Sequence, residues 1–557
     1  METDPLLECL NEAQREAVTT SAAPLCILAG AGAGKTRVLT RRIAYRALTG
    51  DADPRHTLAL TFTRTSSAEL SARLGRLGLR DRPTAGTFHA VALGQLRTRW
   101  ADLGRRAPTL LDRKGRLLRP LLAGAGGSRR LTVGELAAEI EWAKARMIDP
   151  AGYVEAAERA DRRPPCDVGA IAARYQRYED AKRAAEVVDF DDVLADCCRV
   201  LETDPNFAAA QRWRFRHLFV DEFQDVNPLQ HRLLEAWRGS GTDMCVVGDP
   251  DQAIYAWNGA DASFLAHFPR QFPTATVVDL VDNYRSSPQI LAVANRIIDH
   301  GTSRPRRLRS NRPPGPFPSV ESHPTDRDEA TAVARALRDH HQPGRPWSDQ
   351  AVLVRTNAQT VLLEAALRQA RIPYRVRGAT AFLDHPAVRE ELGRLRHDHR
   401  PFATTLVDLE DVLAELAGRQ ADGDGEAADS GGPSRAERHG VYETLVRLAR
   451  EFAVVDPDPT PSGFCAWLYA TVRTESPASG DAVDVGTFHA ANCLEWPVGH
   501  LAGLEHVLVP IAYARTADAL AEERRLFYVA VTRAERTLRC TWARRRTFGA
   551  RDLERRP

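Results

Sequence analysis

The sequence predicts an α/β protein: open parallel sheets with helices on both faces, interrupted by helical insertions. Three observations predict this. Short apolar runs alternate with helical stretches. The first run leads into a small-residue loop and then a helix. Between roughly 91 and 205 the strand signal gives way to helical spacing alone.

Taken in order, Pro24–Thr36 (PLCILAGAGAGKT) reads as strand and loop, and the helix continues through Thr40–Leu48. The run Thr57–Phe62 is a second strand, followed by a helix over Ser66–Leu77. Further strands are expected at His217–Val220, Asp243–Val247 and Ala275–Leu280. Between them, 134–147 and 168–184 carry apolar residues at helical spacing. Sheet signals return at Ala351–Val354 and Tyr374–Val376, and a last α/β stretch spans Val483–Trp542. The expected organisation is a first sheet domain from 1–90 and 206–278, with a helical insertion over 91–205. A second sheet domain follows from 279–384 and 481–557, with a reduced insertion over 385–480. Within that insertion, Gly418–Ser434 is rich in Gly, Asp, Ala and Ser and reads as a disordered loop.

Length agrees with two domains, since 557 residues exceed the roughly 250–300 that one hydrophobic core supports. No apolar run approaches the ~20 residues of a membrane span. The acidic start METDPLLECL lacks a signal-peptide apolar stretch, so a soluble, cytoplasmic protein without a membrane partner is expected. Nine cysteines include no CxxC pair, which points to reduced thiols and away from a structural metal or disulfide framework. The 76 basic and 74 acidic residues nearly cancel, so bulk charge announces no nucleic-acid partner. The arginine-rich stretch Arg533–Arg556 fits phosphate neutralisation or a solvated basic tail. Lysine occurs only at Lys35, Lys114, Lys144 and Lys182, so each retained lysine invites a reason.

Ala29–Thr36 matches the Walker A phosphate loop, with Ala29 in place of its first glycine. Around Gly30, Ala31, Gly32, Ala33 and Gly34 the backbone N–H groups can turn toward phosphate oxygens, and the following helix adds a favourable field. Lys35 supplies a point charge to the β and γ phosphates of ATP, and the Thr36 hydroxyl is placed for Mg²⁺. At the carboxyl end of the strand at 217–220 comes Asp221-Glu222-Phe223-Gln224-Asp225. Asp221 would anchor Mg²⁺ and Glu222 would orient or deprotonate the attacking water. After the next strand, Gln252 is placed to sense the γ-phosphate, five residues before Trp257. An indole on that loop could carry a stacked base.

The ordered segments AGAGAGKT (29–36), LTFTRTSSAEL (60–70), GTFHA (86–90), VDEFQD (220–225), GDPDQAIYAWNGA (248–260), NYRSSPQIL (283–291), TFHAANCLEW (487–496) and EERRLFYVAVTRAE (522–535) resemble the UvrD/Rep/PcrA-type superfamily 1 DNA helicases. EIEWAKA (139–145) is most similar to the shorter actinobacterial members. The resemblance covers almost the whole chain. It implies two RecA-like P-loop NTPase domains and an ATP site in a cleft between them. It further implies that Gln14 contacts adenine, that Arg37 and Tyr284 sandwich the base, and that Glu495 approaches the ribose. Arg285 and Arg533 would serve as arginine fingers. Phe62, Tyr255 and Trp257 would offer faces to bases, with His89, Thr487 and His489 near the strand. The implied activity is a 3′–5′ ATP-dependent DNA helicase serving repair or replication. Its implied partners are single-stranded DNA, single-strand/duplex junctions and DNA-repair proteins. A monomer is expected, with a DNA-induced dimer as the alternative.

Three departures leave other readings open. Asn492 and Cys493 stand where the family carries Lys-Gly, Asn258 replaces a frequent arginine, and the sequence stops soon after Arg533. The alternatives are a DNA-dependent ATPase that unwinds weakly, and a degenerate motor retained as a DNA-binding regulatory protein.

Overall fold

The computed structural model describes residues 4–111, 114–122, 131, 133–160, 162, 164, 166–241, 243–299, 307–377, 386–396, 398, 400–421, 442, 445–446, 448–450, 452–453, 459–471, 480–492, 494–512, 514–548, 551–554 and 556. They form two compact units, one of Met1–Gly30 with Gly34–Leu280 and one of Ala31–Ala33 with Val281–Pro557. Each is of the mixed α/β type predicted. Among the described residues no helix is long and apolar enough to cross a membrane.

The first unit opens with helix α1 (Glu12–Thr19), begun by a reciprocal capping box between Asn11 and Gln14. Its sheet contains β1 (Leu25–Ala29), β2 (Thr57–Thr61) and β3 (Thr84–Thr87). Helices α2 (Lys35–Thr49), α3 (Arg64–Arg76) and α4 (Phe88–Asp102) follow these strands in turn. A short pair, β4 (Thr109–Leu110) and β5 (Val187–Val188), brackets helices α5 (Lys114–Leu121), α6 (Val133–Ala145) and α7 (Val168–Ala184). These three helices pack around their own apolar cluster, including Leu118, Ile140, Tyr153, Ile171 and Tyr178. Helix α8 (Phe190–Thr203) leads back to the sheet through β6 (His217–Val220), helix α9 (Pro228–Arg238), β7 (Met244–Gly248) and β8 (Thr276–Leu280). The strand order is β3-β2-β6-β7-β1-β8 and every pairing is parallel. Both α4 and α8 contribute to the main core beneath this sheet, with Phe88, Leu96, Val193, Cys197 and Trp237. The separately packed helical body is therefore shorter than the interval 91–205, beginning after α4 and ending before α8.

The second unit begins with β9 (Asp282–Asn283), helix α10 (Pro288–Asp299) and β10 (Arg309–Ser310). Next come β11 (Ser319–Thr325), helix α11 (Asp326–His340), β12 (Gln350–Val354), helix α12 (Thr360–Gln369) and β13 (Tyr374–Val376). Helices α13 (Phe402–Ala421) and α14 (Pro461–Thr471) belong to a second helical cluster built on Leu392, Phe402, Phe452 and Phe464. The stretch Gly418–Ser434 begins inside the last turn of α13 and from 422 onward lies outside the described residues. The sheet is completed by β14 (Val483–Thr487), β15 (Trp496–Leu501), helix α15 (Ala517–Val531), β16 (Ala534–Phe548) and β17 (Arg551–Glu554). Its order is β11-β16-β15-β12-β14-β13, all parallel, and β17 closes antiparallel on β16.

Candidate nucleotide and nucleic-acid site

Parallel sheets gather the loops at the carboxyl ends of their strands, and the first unit's polar side chains collect there. Ala29 is buried as the last residue of β1, so the family's first loop glycine is replaced where the chain is still a strand. Gly32 (φ +65°) and Gly34 (φ +79°) adopt left-handed backbone, which a side chain would strain. Gly34 caps α2 without a side-chain hydrogen bond, leaving the first N–H groups of that helix for a ligand. A Cβ at Gly34 would lie 3.5 Å from Gln14 Nε2, so the buried Gln14 side chain rests against the end of the loop. Arg37 Nη2 donates to the carbonyl of Cys9.

Lys35 Nζ donates to Glu222 Oε2 at 2.9 Å, and Thr36 Oγ1 donates to Asp221 Oδ2 at 3.2 Å. Glu222 sits at φ 51°, ψ 41°, a left-handed conformation uncommon outside glycine. That turn lets its N–H donate to Asp221 Oδ1 at 3.0 Å. Burial, followed by repulsion from Glu222, pushes the Asp221 carboxyl up to about 7. Burial and Glu222 also push Asp225 well above the usual carboxylate range. Burial alone would lower Lys35, but Glu222, Asp249 and Asp221 outweigh it and hold the ammonium above its ordinary value. One ammonium faces four carboxylates here, a surplus of negative charge that suits a divalent cation. Thr36 Oγ1 and Asp221 Oδ2, 3.2 Å apart, are oxygens that could hold such an ion.

Sequence reasoning gave no role to Gln224 and Asp249, although both stand in the quoted motifs. Gln224 Nε2 donates to Glu222 Oε2 at 2.8 Å and its Oε1 accepts from Asp249 N–H at 2.9 Å. Asp249 in turn accepts from Gln252 Nε2 at 2.5 Å. Gln252 is therefore joined to Glu222 through two intermediate residues, by way of the Asp249 backbone N–H. Three and five residues beyond Gln252, Tyr255 and Trp257 lie on one short turn with ring centroids 6.5 Å apart, and Trp257 is 49% exposed.

In the second unit Arg285, Glu495 and Arg533 come together. Arg285 Nε pairs with Glu495 Oε2 at 2.5 Å, and its Nη1 donates to the carbonyl of Thr532 at 3.3 Å. Arg533 is buried, its Nε on the Val529 carbonyl at 3.1 Å and its Nη1 on that of Leu494 at 3.4 Å. Tyr284 is partly exposed beside them in sequence. The remaining candidates are less open. Phe62 packs on Phe88 at 5.8 Å, and the His89 ring lies edge-on to Phe190 at 5.9 Å. Thr487 accepts from Ala490 N–H at 3.2 Å. Burial and the nearby Arg355 lower His489 to about 4, leaving it neutral at physiological pH. Asn492 N–H donates to the His489 carbonyl at 3.2 Å, whereas Cys493 lies outside the described residues.

Comparison with known proteins gives a concordant result. A family model described as the UvrD/REP helicase N-terminal domain matches residues 10–273. A second, described as the UvrD-like helicase C-terminal domain, matches 278–406 and 441–545. The ATP-dependent DNA helicase UvrD2 of Mycobacterium tuberculosis (strain ATCC 25618 / H37Rv) is 38% identical over 579 residues, covering 99% of this chain and 81% of that protein. The ATP-dependent DNA helicase PcrA of Staphylococcus aureus (strain NCTC 8325 / PS 47) is 29% identical over 625 residues, covering 98% of this chain and 85% of the other.

Proposed function

The chain belongs to the UvrD/REP helicase family and is by that membership an ATP-dependent DNA helicase; we propose that it moves 3′ to 5′ on single-stranded DNA and unwinds duplex ahead of it. The observation that carries its ATP chemistry is the paired contact of Lys35 with Glu222 and Thr36 with Asp221.

In this reading Lys35 is shared between two anions. Without nucleotide its ammonium neutralises Glu222. A γ-phosphate competes for the same charge, and Glu222, still held by Gln224, is released to orient the attacking water. Thr36 and Asp221 would hold Mg²⁺, which would supply charge neutralisation to the phosphates of ATP. Gln14, Arg37 and Tyr284 take the adenine, as the family resemblance implies. Arg285, oriented by Glu495, and Arg533, anchored on two carbonyls, serve as arginine fingers. Such fingers are worth roughly 10³–10⁵ in rate in related phosphoryl-transfer enzymes. Tyr255 and Trp257 stack on bases, and the Gln252–Asp249–Gln224 chain gives nucleotide state a short path to them. The 3′ to 5′ polarity and a role in DNA repair or replication rest on the family resemblance.

Asn492 favours a second reading, in which the protein hydrolyses ATP on DNA but unwinds weakly, since the family's lysine is absent from the loop between β14 and β15. ATPase and strand-displacement assays of wild type beside Lys35→Ala, with 3′- and 5′-tailed duplexes, separate the two. Displacement of the 3′-tailed duplex alone supports the helicase. ATP turnover without displacement supports the second reading, and turnover indifferent to single-stranded DNA sinks both.

A further inference from the structure

Three of the chain's four lysines meet at one place in the first unit, in a protein whose other side-chain cations, histidine aside, are arginine. Lys114 on α5 pairs with Asp191 at 2.8 Å and Glu141 at 3.1 Å. Lys144 on α6 and Lys182 on α7 converge on Asp189, which is fully buried as the capping residue of α8. Asp189 Oδ2 accepts from Lys144 at 2.7 Å, Lys182 at 3.1 Å and the Tyr178 hydroxyl at 3.0 Å. Asp189 Oδ1 accepts from Lys144 at 2.8 Å and from Asp192 N–H at 3.0 Å. Asp192 takes the same two ammoniums at 2.5 and 2.6 Å, and Glu179 takes them at 3.3 and 2.9 Å. Glu179, Asp189 and Asp192 stand close enough to hold a metal ion, but here lysine supplies the cations.

Side-chain shape explains why lysine is kept. Two compact ammoniums, each with three rotatable donors, can converge on one carboxylate, whereas planar guanidinium forks cannot crowd there. A largely buried, densely ion-paired network selects one geometry, because any displacement leaves an ion unpaired. The network ties α5, α6 and α7 to α8, whose apolar residues belong to the main core. The residue after Asp189 is Phe190, whose ring meets His89, and Lys114 and Asp191 are charged neighbours of that histidine.

We propose that Asp189 is a positioning hub: by gathering Lys144 and Lys182 it holds the helical insertion and the Phe190–His89 pair in the arrangement that binds single-stranded DNA, and takes no part in ATP chemistry. The DNA half of this inference rests on the function proposed above.

The test uses the full chain, with Asp189→Asn, Lys144→Arg and, at the more exposed rim, Lys114→Arg. Hydrogen exchange without DNA or nucleotide should accelerate about tenfold in 133–145 and 168–184 relative to the strands of the first sheet. The single-stranded DNA concentration for half-maximal ATPase should rise about five- to tenfold, with DNA-free turnover within about twofold of wild type. Unchanged exchange overturns the hub, as does Lys144→Arg matching wild type in both readouts. DNA-free turnover falling in step with DNA affinity also overturns it, by making the network a general part of the core. If wild-type ATPase ignores single-stranded DNA, the functional reading fails, and exchange alone still decides the hub. If the two buried variants do not fold, Lys114→Arg decides by the same two measurements.

Discussion

Gln224 donates from Nε2 to Glu222 Oε2 at 2.8 Å, so the carboxylate that pairs with Lys35 is held from a second side. The same amide's oxygen satisfies the buried N–H of Asp249. Gln224→Ala should therefore act on both geometry and stability. Orphaning a buried N–H costs about 1–3 kcal/mol, to be read by chemical denaturation. ATP turnover should drop about tenfold as Glu222 loses orientation, with KM for ATP changing far less. Wild-type turnover in this variant would remove Gln224 from the site.

Lys35→Ala should lower ATP turnover by about 10²–10³-fold, the usual scale for removing a preorganised charge from a transition state. Lys35→Arg should fall nearly as far, because a fork cannot replace the compact ammonium between Glu222 and a phosphate. Single-turnover hydrolysis measures both.

Trp257→Ala should weaken single-stranded DNA binding by about 1–3 kcal/mol, a fivefold or greater loss of affinity. DNA-free turnover should be unaffected, since the ring is half exposed on its turn. Fluorescence anisotropy with an oligothymidine would show this, and unchanged affinity would place the strand elsewhere.

Asp484 supplies a prediction about acid stability. Burial raises its pKa, but Arg375, Arg377 and the Trp496 indole outweigh burial and hold the carboxyl below its ordinary value. Trp496 Nε1 donates to Asp484 Oδ2 at 2.8 Å, and Arg377 Nε to Oδ1 at 2.8 Å. A depressed folded pKa means that the native state binds fewer protons. The stabilisation is complete above the ordinary value near 3.9 and is lost as pH falls through the folded value. Asp484→Asn should cost about 3–5 kcal/mol at pH 7 by leaving two guanidiniums uncompensated. In denaturant titrations the gap from wild type should narrow steadily below about pH 4.

Asn492→Lys combined with Cys493→Gly should increase base pairs displaced per ATP if the altered loop limits coupling. Strand displacement and phosphate release, followed in one reaction, give the ratio directly. An unchanged ratio would show that coupling does not depend on the family's lysine and glycine at these positions.

Much of the fold was legible because its determinants are local. The strand at His217–Val220, the helix at 168–184 and the small-residue loop before Lys35 each declare themselves within one window of sequence. The limits of the helical insertion were less legible. Helices α4 and α8 have the same spacing as the insertion's helices, and only their packing into the main core assigns them there. The site divides in the same way. Lys35, Asp221 and Glu222 stand in motifs, but the pairing of Lys35 with Glu222 spans 187 positions and depends on the parallel order of the strands. Asp484 offered one faint signal, a carboxylate between the apolar residues of β14, while its partners Arg375 on β13, Arg377 just after it and Trp496 on β15 could not be read from spacing. Gln224 was visible as a letter in a motif. Its bridging role required the strands ending at Val220 and Gly248 to be adjacent.

The four lysines have a practical consequence. Each is ion-paired and mostly enclosed, with side-chain exposures of 11%, 16%, 9% and 3% for Lys35, Lys114, Lys144 and Lys182. The exterior thus presents guanidinium and hardly any side-chain primary amine. Amine-directed reagents that would coat an ordinary protein should leave these side chains nearly unmarked. Each modification that does occur becomes a timed report of one opening event, at the phosphate loop or among the insertion helices, with mass spectrometry telling which.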